Sequence, residues 1–107
     1  MQKVNDANYD QIVGGASLPV VLDFGATWCG PCKKLEPIIE ELSTELAGKA
    51  IFGKVDIDEA QNTARKFGVM SVPTVIFLRA GEPVYKFVGL MPKNKIQQLL
   101  DQHLQVA

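Results

Sequence analysis

The sequence predicts an α/β domain in which a mixed β-sheet carries helices on both faces. Two apolar segments rich in β-branched residues, at 20–26 and 51–57, are separated by a long segment with helical spacing of apolar residues, a pattern typical of parallel strands joined by a helix. After residue 73, two more apolar segments are separated by a short loop, which indicates an antiparallel hairpin. The chain has 107 residues, of which 47% are hydrophobic, enough for one core, so residues 1–107 are predicted to form one domain.

The first predicted element is a helix over residues 6–13. Asn5 or Asp6 would accept hydrogen bonds from its first free N–H groups, and the Gly14-Gly15 pair would end it. The strand over 20–26 follows. Its valine, leucine and phenylalanine side chains form an almost continuous apolar run, which predicts a position in the middle of the sheet.

The longest predicted helix follows this strand and runs to about Leu46, where Gly48 stops it. Pro37 lies inside this helix and has no N–H to donate, so a kink is expected there. The next apolar segment, 51–57, is predicted to be a strand that lies parallel to the first one.

The second half of the chain predicts a short helix, a hairpin and a final helix. The short helix covers 59–67 with Asp58 as its cap, and the hairpin strands cover 74–78 and 84–88. The final helix covers 93–105 and has an apolar face toward the sheet. The residues of that face are Ile96, Leu99, Leu100 and Leu104.

The two cysteines, Cys29 and Cys32, lie where the first strand ends and the long helix begins. The free N–H groups and the positive dipole end of a helix N-terminus stabilise an anion, so Cys29 is predicted to be a thiolate nucleophile. Cys32 lies one helical turn further on and is near enough to close a disulfide with Cys29. The spacing therefore predicts reversible dithiol chemistry.

Three other interpretations of the pair are less favoured. A structural disulfide would close so small a loop that it stabilises the fold by only about 2 kcal/mol. A structural zinc site needs four ligands, whereas the chain offers two cysteines and His103, a distant histidine expected at the surface or at the edge of the core. Two inert thiols would not explain the Gly30-Pro31 insert at a helix start.

A larger set of residues matches the pattern of one protein family. These residues are Asp23-Phe24, Ala26, Trp28-Cys29-Gly30-Pro31-Cys32-Lys33, Pro37, Val72-Pro73-Thr74 and Gly89. Through them the chain resembles the thioredoxin family over nearly its whole length. The resemblance implies the thioredoxin fold, a mixed sheet of about five strands flanked by about four helices. The chain departs from the commonest pattern at Gly25, where many members carry a second tryptophan, and at Thr27, where an acidic residue or proline is frequent.

Asp23 interrupts the apolar run of the first strand. A carboxylate inside a central strand is costly to ionise, so its pKa is expected to rise, unless the residue faces outward on an edge. The resemblance implies that Asp23 accepts a proton from Cys32, through a water molecule. It also implies that Lys54 is a buried lysine near this acid, although an ordinary solvated lysine is the alternative.

Pro73 cannot donate a hydrogen bond to a sheet, so it marks the start of a strand. The resemblance implies a cis Val72-Pro73 bond, with a simple trans proline as the alternative. The backbone of Val72 would then pair with an extended substrate peptide.

An apolar rim around the cysteines would bind the substrate, although Met70 and Leu90 also fit ordinary half-buried packing. The rim consists of Trp28, Gly30, Met70, Val72, Gly89 and Leu90.

Composition and motifs limit the partners. A net charge of −1 does not indicate nucleic acid or an acidic membrane as a partner, and no apolar run approaches the ~18 residues of a membrane span. The N-terminus has no apolar signal region, so a cytoplasmic location is expected. The protein is also expected to be a monomer. No phosphate-binding or dinucleotide motif is present, so no cofactor is expected. The acidic residues Asp56, Asp58 and Glu59 suggest no metal, because Asp58 is explained as a helix cap.

The function that follows from the resemblance is reduction of protein disulfides by thiol-disulfide exchange. Cys29 would attack a substrate disulfide, and Cys32 would then attack Cys29 and release the reduced substrate. Electrons would come from a thioredoxin reductase, a flavoprotein that uses NADPH, or in some lineages from a ferredoxin-dependent enzyme. Gly30 and Pro31 are expected to tune the pair as a reductant, since oxidases and isomerases of this family usually carry histidine where Pro31 stands. A redox-independent binding module or chaperone-like subunit is the alternative of a different class.

Overall fold

The computed structural model describes residues 1–106 and contains one five-stranded sheet with the strand order β1-β3-β2-β4-β5. The strands are β1 Gln2–Val4, β2 Val20–Gly25, β3 Ile51–Asp56, β4 Thr74–Arg79 and β5 Glu82–Val88. The helices are a π-helix at Asp10–Gly14, α1 Gly30–Glu45, α2 Gln61–Lys66 and α3 Lys93–Leu104. Strands β1, β3 and β2 are parallel, whereas β4 is antiparallel to both β2 and β5. The predicted mixed α/β architecture is therefore confirmed.

Strand β2 lies in the centre of the sheet, and all six of its residues are buried. Successive side chains of a strand point to opposite faces, so β2 contributes to two separate apolar cores. Val21 packs with the helices α1 and α3 on one face, and Leu22 and Phe24 pack with the π-helix on the other. The predicted apolar face of α3 is buried at all four positions, Ile96, Leu99, Leu100 and Leu104.

The N-terminal segment differs from the prediction. Strand β1 was not predicted, and the expected helix over 6–13 is replaced by turns that lead into the short π-helix Asp10–Gly14. The side-chain oxygen of Asn5 accepts hydrogen bonds from the backbone N–H groups of Ala7 and Asn8, both at 2.9 Å. These bonds stabilise a turn and compete with a regular helix at this point.

The start of α2 also corrects a prediction, because Asp58 is not its cap. The helix begins at Gln61, and its first N–H groups are bound by Asp6, whose carboxylate accepts from the backbone of Thr63 at 2.8 Å and of Asn62 at 3.2 Å. A residue from the other end of the sequence thus takes the place of a local cap. Helix α1 runs through Pro37 to Glu45, and the kink there stays a prediction.

The β4–β5 hairpin is tighter than predicted. Its strands extend to Arg79 and from Glu82, so only Ala80 and Gly81 form the turn, with φ of 53° and 79°. Two successive residues with positive φ match the twist of a two-residue hairpin. Pro83 is accommodated because β5 is an edge strand. Within residues 1–106, no helix is both long and apolar enough to cross a membrane.

Candidate active site

The two cysteines form a disulfide at the N-terminus of α1, with their Cα atoms 5.3 Å apart. Cys29 is the residue immediately before the helix and has an extended backbone, so its side chain occupies the capping position. Its Sγ accepts a hydrogen bond from the backbone N–H of Cys32 at 3.2 Å. Pro31 lies in the first turn, where its missing N–H leaves no intrahelical bond unmade. This is the geometry in which a helix N-terminus stabilises a thiolate at Cys29.

The cysteines are largely covered, with only 5% of Cys29 and 8% of Cys32 exposed. They pack with Ala26, and the half-buried Val72 lies against them. The Val72-Pro73 peptide bond is cis, as the resemblance implied. Pro73 is itself buried, and Val72 packs against the two cysteines.

The predicted rim residues include the most exposed large apolar side chains of the site. Trp28 is 68% exposed and Met70 is 95% exposed, so Met70 is not part of the ordinary half-buried packing. Leu90 is also exposed, whereas Gly89 is half-buried and donates its backbone N–H to the carbonyl of Pro73 at 2.9 Å. This bond ties the segment after β5 to the cis peptide. Gly30 is exposed, and a side chain there would meet no other atom.

The indole of Trp28 is held by a hydrogen bond that sequence analysis did not anticipate. Its Nε1–H donates to Oδ2 of Asp58 at 2.9 Å. Asp58 comes from the turn after β3, where its backbone N–H is bound by Asp56. The acidic residues near 56–59 therefore have structural partners, and no cluster in residues 1–106 could hold a metal ion.

Asp23 is only 5% exposed and lies on the central strand, so the alternative of an outward-facing acid on an edge is wrong. Its Oδ1 is buried and has no hydrogen-bond partner among the described residues. The pKa of this carboxyl is raised to about 7, mainly by burial and also by the negative charge of Glu36, while the positive charge of Lys54 opposes the rise.

Lys54 is not buried, which corrects the prediction that it would match a buried lysine. It is the neighbour of Asp23 across the β2–β3 pairing, but its side chain is 46% exposed. Its Nζ donates to Oε1 of Glu36 on α1 at 2.7 Å. The side chain is exposed because it lines a cleft between the end of the sheet and α1.

The cleft has a volume of about 610 Å³ and reaches both Asp23 and Cys32. Gly25 contributes to its wall, and a Cβ atom at this position would lie 3.4 Å from Sγ of Cys32. Glu36 and Lys54 line the same cleft. Sequence reasoning missed Glu36, although its position four residues after Cys32 places both side chains on one face of α1.

Comparisons with known proteins agree with this site. A family model described as Thioredoxin matches residues 1–102. A protein named Thioredoxin from Staphylococcus haemolyticus is 50% identical over 103 residues, which cover 95% of this chain and 96% of that protein. A protein named Thioredoxin from Staphylococcus aureus is 48% identical with the same coverage of both chains.

Proposed function

The chain belongs to the thioredoxin family and is a protein-disulfide reductase, and we propose that Cys29 is its nucleophile and Cys32 its resolving thiol. The observation that carries this assignment is the hydrogen bond from the N–H of Cys32 to Sγ of Cys29 at the start of α1. In the reduced protein the same N–H group and the helix dipole would favour a thiolate at Cys29 over one at Cys32.

The reaction has two steps that balance in electrons and protons. The Cys29 thiolate attacks one sulfur of a substrate disulfide, which breaks the substrate S–S bond and releases one substrate thiolate. Cys32 then loses its proton to Asp23 and attacks Sγ of Cys29. The new Cys29–Cys32 disulfide forms, the mixed disulfide breaks, and the second substrate sulfur leaves as a thiolate that takes a proton from water.

Asp23 suits the role of proton acceptor because it is unpaired and its pKa is raised to about 7 by burial and by Glu36. A base whose pKa lies near the working pH accepts a proton efficiently, and a substantial fraction of it is ionised at that pH. Asp23 and Cys32 line the same cleft, so a water molecule in that cleft would connect them. Lys54 enters this scheme through its charge alone, since it is exposed.

Substrate binding is assigned to the exposed side chains of Trp28, Met70 and Leu90 and to the backbone at Val72. The position of Val72 supports this, because a residue that packs against the two cysteines is next to any peptide that reaches Cys29. Such a peptide would pair with the backbone and contact the apolar rim, which allows binding of many sequences.

A flavoprotein thioredoxin reductase in the cytoplasm is proposed as the electron donor. The supporting observation is that the site holds one dithiol, which is spent after a single turnover and must be reduced again. Recovery of activity with NADPH and a purified reductase supports this donor, and no reduction of the Cys29–Cys32 disulfide under those conditions excludes it.

The assignment of the two cysteines is tested by trapping. Cys32→Ser is expected to accumulate a mixed disulfide between Cys29 and a substrate protein, because the second step is blocked. Cys29→Ser is expected to trap nothing and to have no insulin-disulfide reduction activity. A Cys29→Ser variant that keeps the full biological effect would instead support a redox-independent binding module.

A further inference from the structure

Glu36 and Lys54 form an ion pair at the cleft that contains Asp23 and Cys32. Lys54 lies directly across from Asp23 in the parallel β2–β3 register, so the two side chains leave the same face of the sheet from strands about 4.8 Å apart. A lysine side chain at that position is long enough to pair with the carboxylate of Asp23. Its ammonium group instead binds Glu36, and Oδ1 of Asp23 has no partner.

We propose that Glu36 is a positioning residue for the proton transfer from Cys32, because it binds the ammonium group of Lys54 and so keeps Asp23 free to accept the proton. This inference rests on the role proposed above for Asp23. Glu36 acts on the reaction indirectly, by binding Lys54 and by raising the pKa of Asp23. It is four residues after Cys32 on α1, so the helix that carries the resolving thiol also carries this carboxylate.

Two other ion pairs lie around the cleft, and neither includes Lys54, which pairs with Glu36. The N-terminal amine of Met1 pairs with Glu40 of α1, and Lys3 of β1 pairs with Glu59. Strand β4, on the other side of Asp23, contributes the apolar Val75. The further charged groups that line the cleft are Lys33 of α1 and Asp56 of β3.

Because Lys54 binds Glu36, Asp23 is a stronger base than it would be in a salt bridge with Lys54. An ammonium group within hydrogen-bond distance of Asp23 would stabilise its ionised form and make it a weaker base. The negative charge of Glu36 has the opposite effect and raises the pKa of Asp23, in addition to the larger effect of burial. Loss of Glu36 removes that charge and releases Lys54 in one step, so both changes weaken Asp23 as a proton acceptor.

The direct test is the titration of the Asp23 carboxyl carbon by NMR in the oxidised protein, where neither cysteine titrates. Glu36→Gln is expected to lower the Asp23 midpoint by at least about half a pH unit. Lys54→Met is expected to raise it, and the double variant should lie between the two single variants. Glu41→Gln is the matched control, because Glu41 is on the same helix and pairs with Lys93 outside the cleft, and it should leave the midpoint unchanged. An unchanged or raised midpoint in Glu36→Gln overturns the proposal.

The kinetic test measures substrate release from the mixed disulfide as a function of pH. The midpoint of the release rate should move in Glu36→Gln in the same direction as the NMR midpoint, while the first attack by Cys29 is unchanged. Asp23→Asn separates the two proposals. If Asp23→Asn slows release and Glu36→Gln does not shift its pH profile, only the role of Glu36 is wrong. If Asp23→Asn leaves release unchanged, the proposed acceptor is wrong and the role of Glu36 in the reaction is excluded with it, even where the NMR midpoint moves.

Discussion

The indole Nε1 of Trp28 donates a hydrogen bond of 2.9 Å to the carboxylate of Asp58, thirty residues further along the chain. This bond joins the residue before the first cysteine to the turn after β3. It matters because Trp28 is 68% exposed and has few packing contacts to fix its orientation. An exposed aromatic ring that is held in place can bind a substrate without first losing rotamer freedom.

Replacing Asp58 by alanine is therefore expected to loosen Trp28 and to raise the KM for protein disulfides a few-fold, with little change in kcat. Trp28 is the one tryptophan of the sequence, so its fluorescence anisotropy reports the change directly. Asp58→Asn keeps an acceptor oxygen and serves as the control, with an anisotropy close to that of the unmodified protein. Equal anisotropy in Asp58→Ala and Asp58→Asn would contradict the prediction.

Alkylation of the reduced protein near neutral pH is expected to modify Cys29 before Cys32. The thiolate is the reactive form, and the capping position at the start of α1 favours it at Cys29. The measurement is the mass of each labelled peptide after short exposure to iodoacetamide. Earlier labelling of Cys32 would refute the assignment of the nucleophile.

Pro31→His is expected to make the protein more oxidising. A histidine in the first turn of α1 adds a group that is partly cationic near neutral pH and stabilises the Cys29 thiolate, so the reduced form gains stability. The expected rise in reduction potential is about 30 mV or more, which corresponds to about 1.4 kcal/mol. Thr44→His places histidine near the other end of the same helix and should leave the potential unchanged. A potential for Pro31→His that is unchanged or lower contradicts the role given to this residue.

Local patterns in the sequence were sufficient to predict the elements that carry the chemistry. The apolar run of β2 and the helical spacing of α1 predicted the strand-to-helix junction at Cys29. A strand that is buried on both faces has a nearly continuous run of apolar residues, which is easy to recognise in a sequence. Strand β1 was missed because it has three residues and buries only Val4, which is too short for a periodic signal. Contacts between distant segments were missed for another reason. The bond of Asp6 to Thr63 and the ion pair of Lys54 with Glu36 depend on which elements become neighbours, which no local pattern records.

Strand β1 also gives a stability prediction at Gly53 of β3. A Cβ atom on this residue would lie 2.6 Å from Cγ2 of Val4 and 3.0 Å from Cδ2 of Leu22, both in buried side chains. Gly53→Ala is therefore expected to lower the free energy of unfolding by roughly 1–3 kcal/mol, because the buried neighbours must shift. Denaturant unfolding measures the loss. Activity of the folded fraction should be unchanged, and a variant as stable as the unmodified protein would contradict the close packing of β1 on β3.

The last prediction is that Asp23→Asn increases stability and decreases activity. The pKa of Asp23 is raised to about 7 in the folded protein by burial and by Glu36, above its usual value of 3.8 in the unfolded chain. Between these two values the folded protein binds more protons than the unfolded chain, so stability falls as the pH rises through this range. An amide cannot ionise and avoids this loss. The variant should therefore be more stable than the unmodified protein at pH 9, by up to roughly 4 kcal/mol, and should gain less at pH 6.

The same substitution removes the proton acceptor for Cys32, so release of substrate from the mixed disulfide should slow while the first attack by Cys29 changes little. Denaturant unfolding at pH 6 and pH 9 measures the first effect, and single-turnover reduction of a disulfide measures the second. The two results test different properties of one carboxyl group: its cost when ionised in a buried position and its use as a base. A variant that is less stable at pH 9 would show that the ionised carboxylate is stabilised in the fold. A variant that slows only the first step would show that the proton of Cys32 leaves by a route that does not include Asp23.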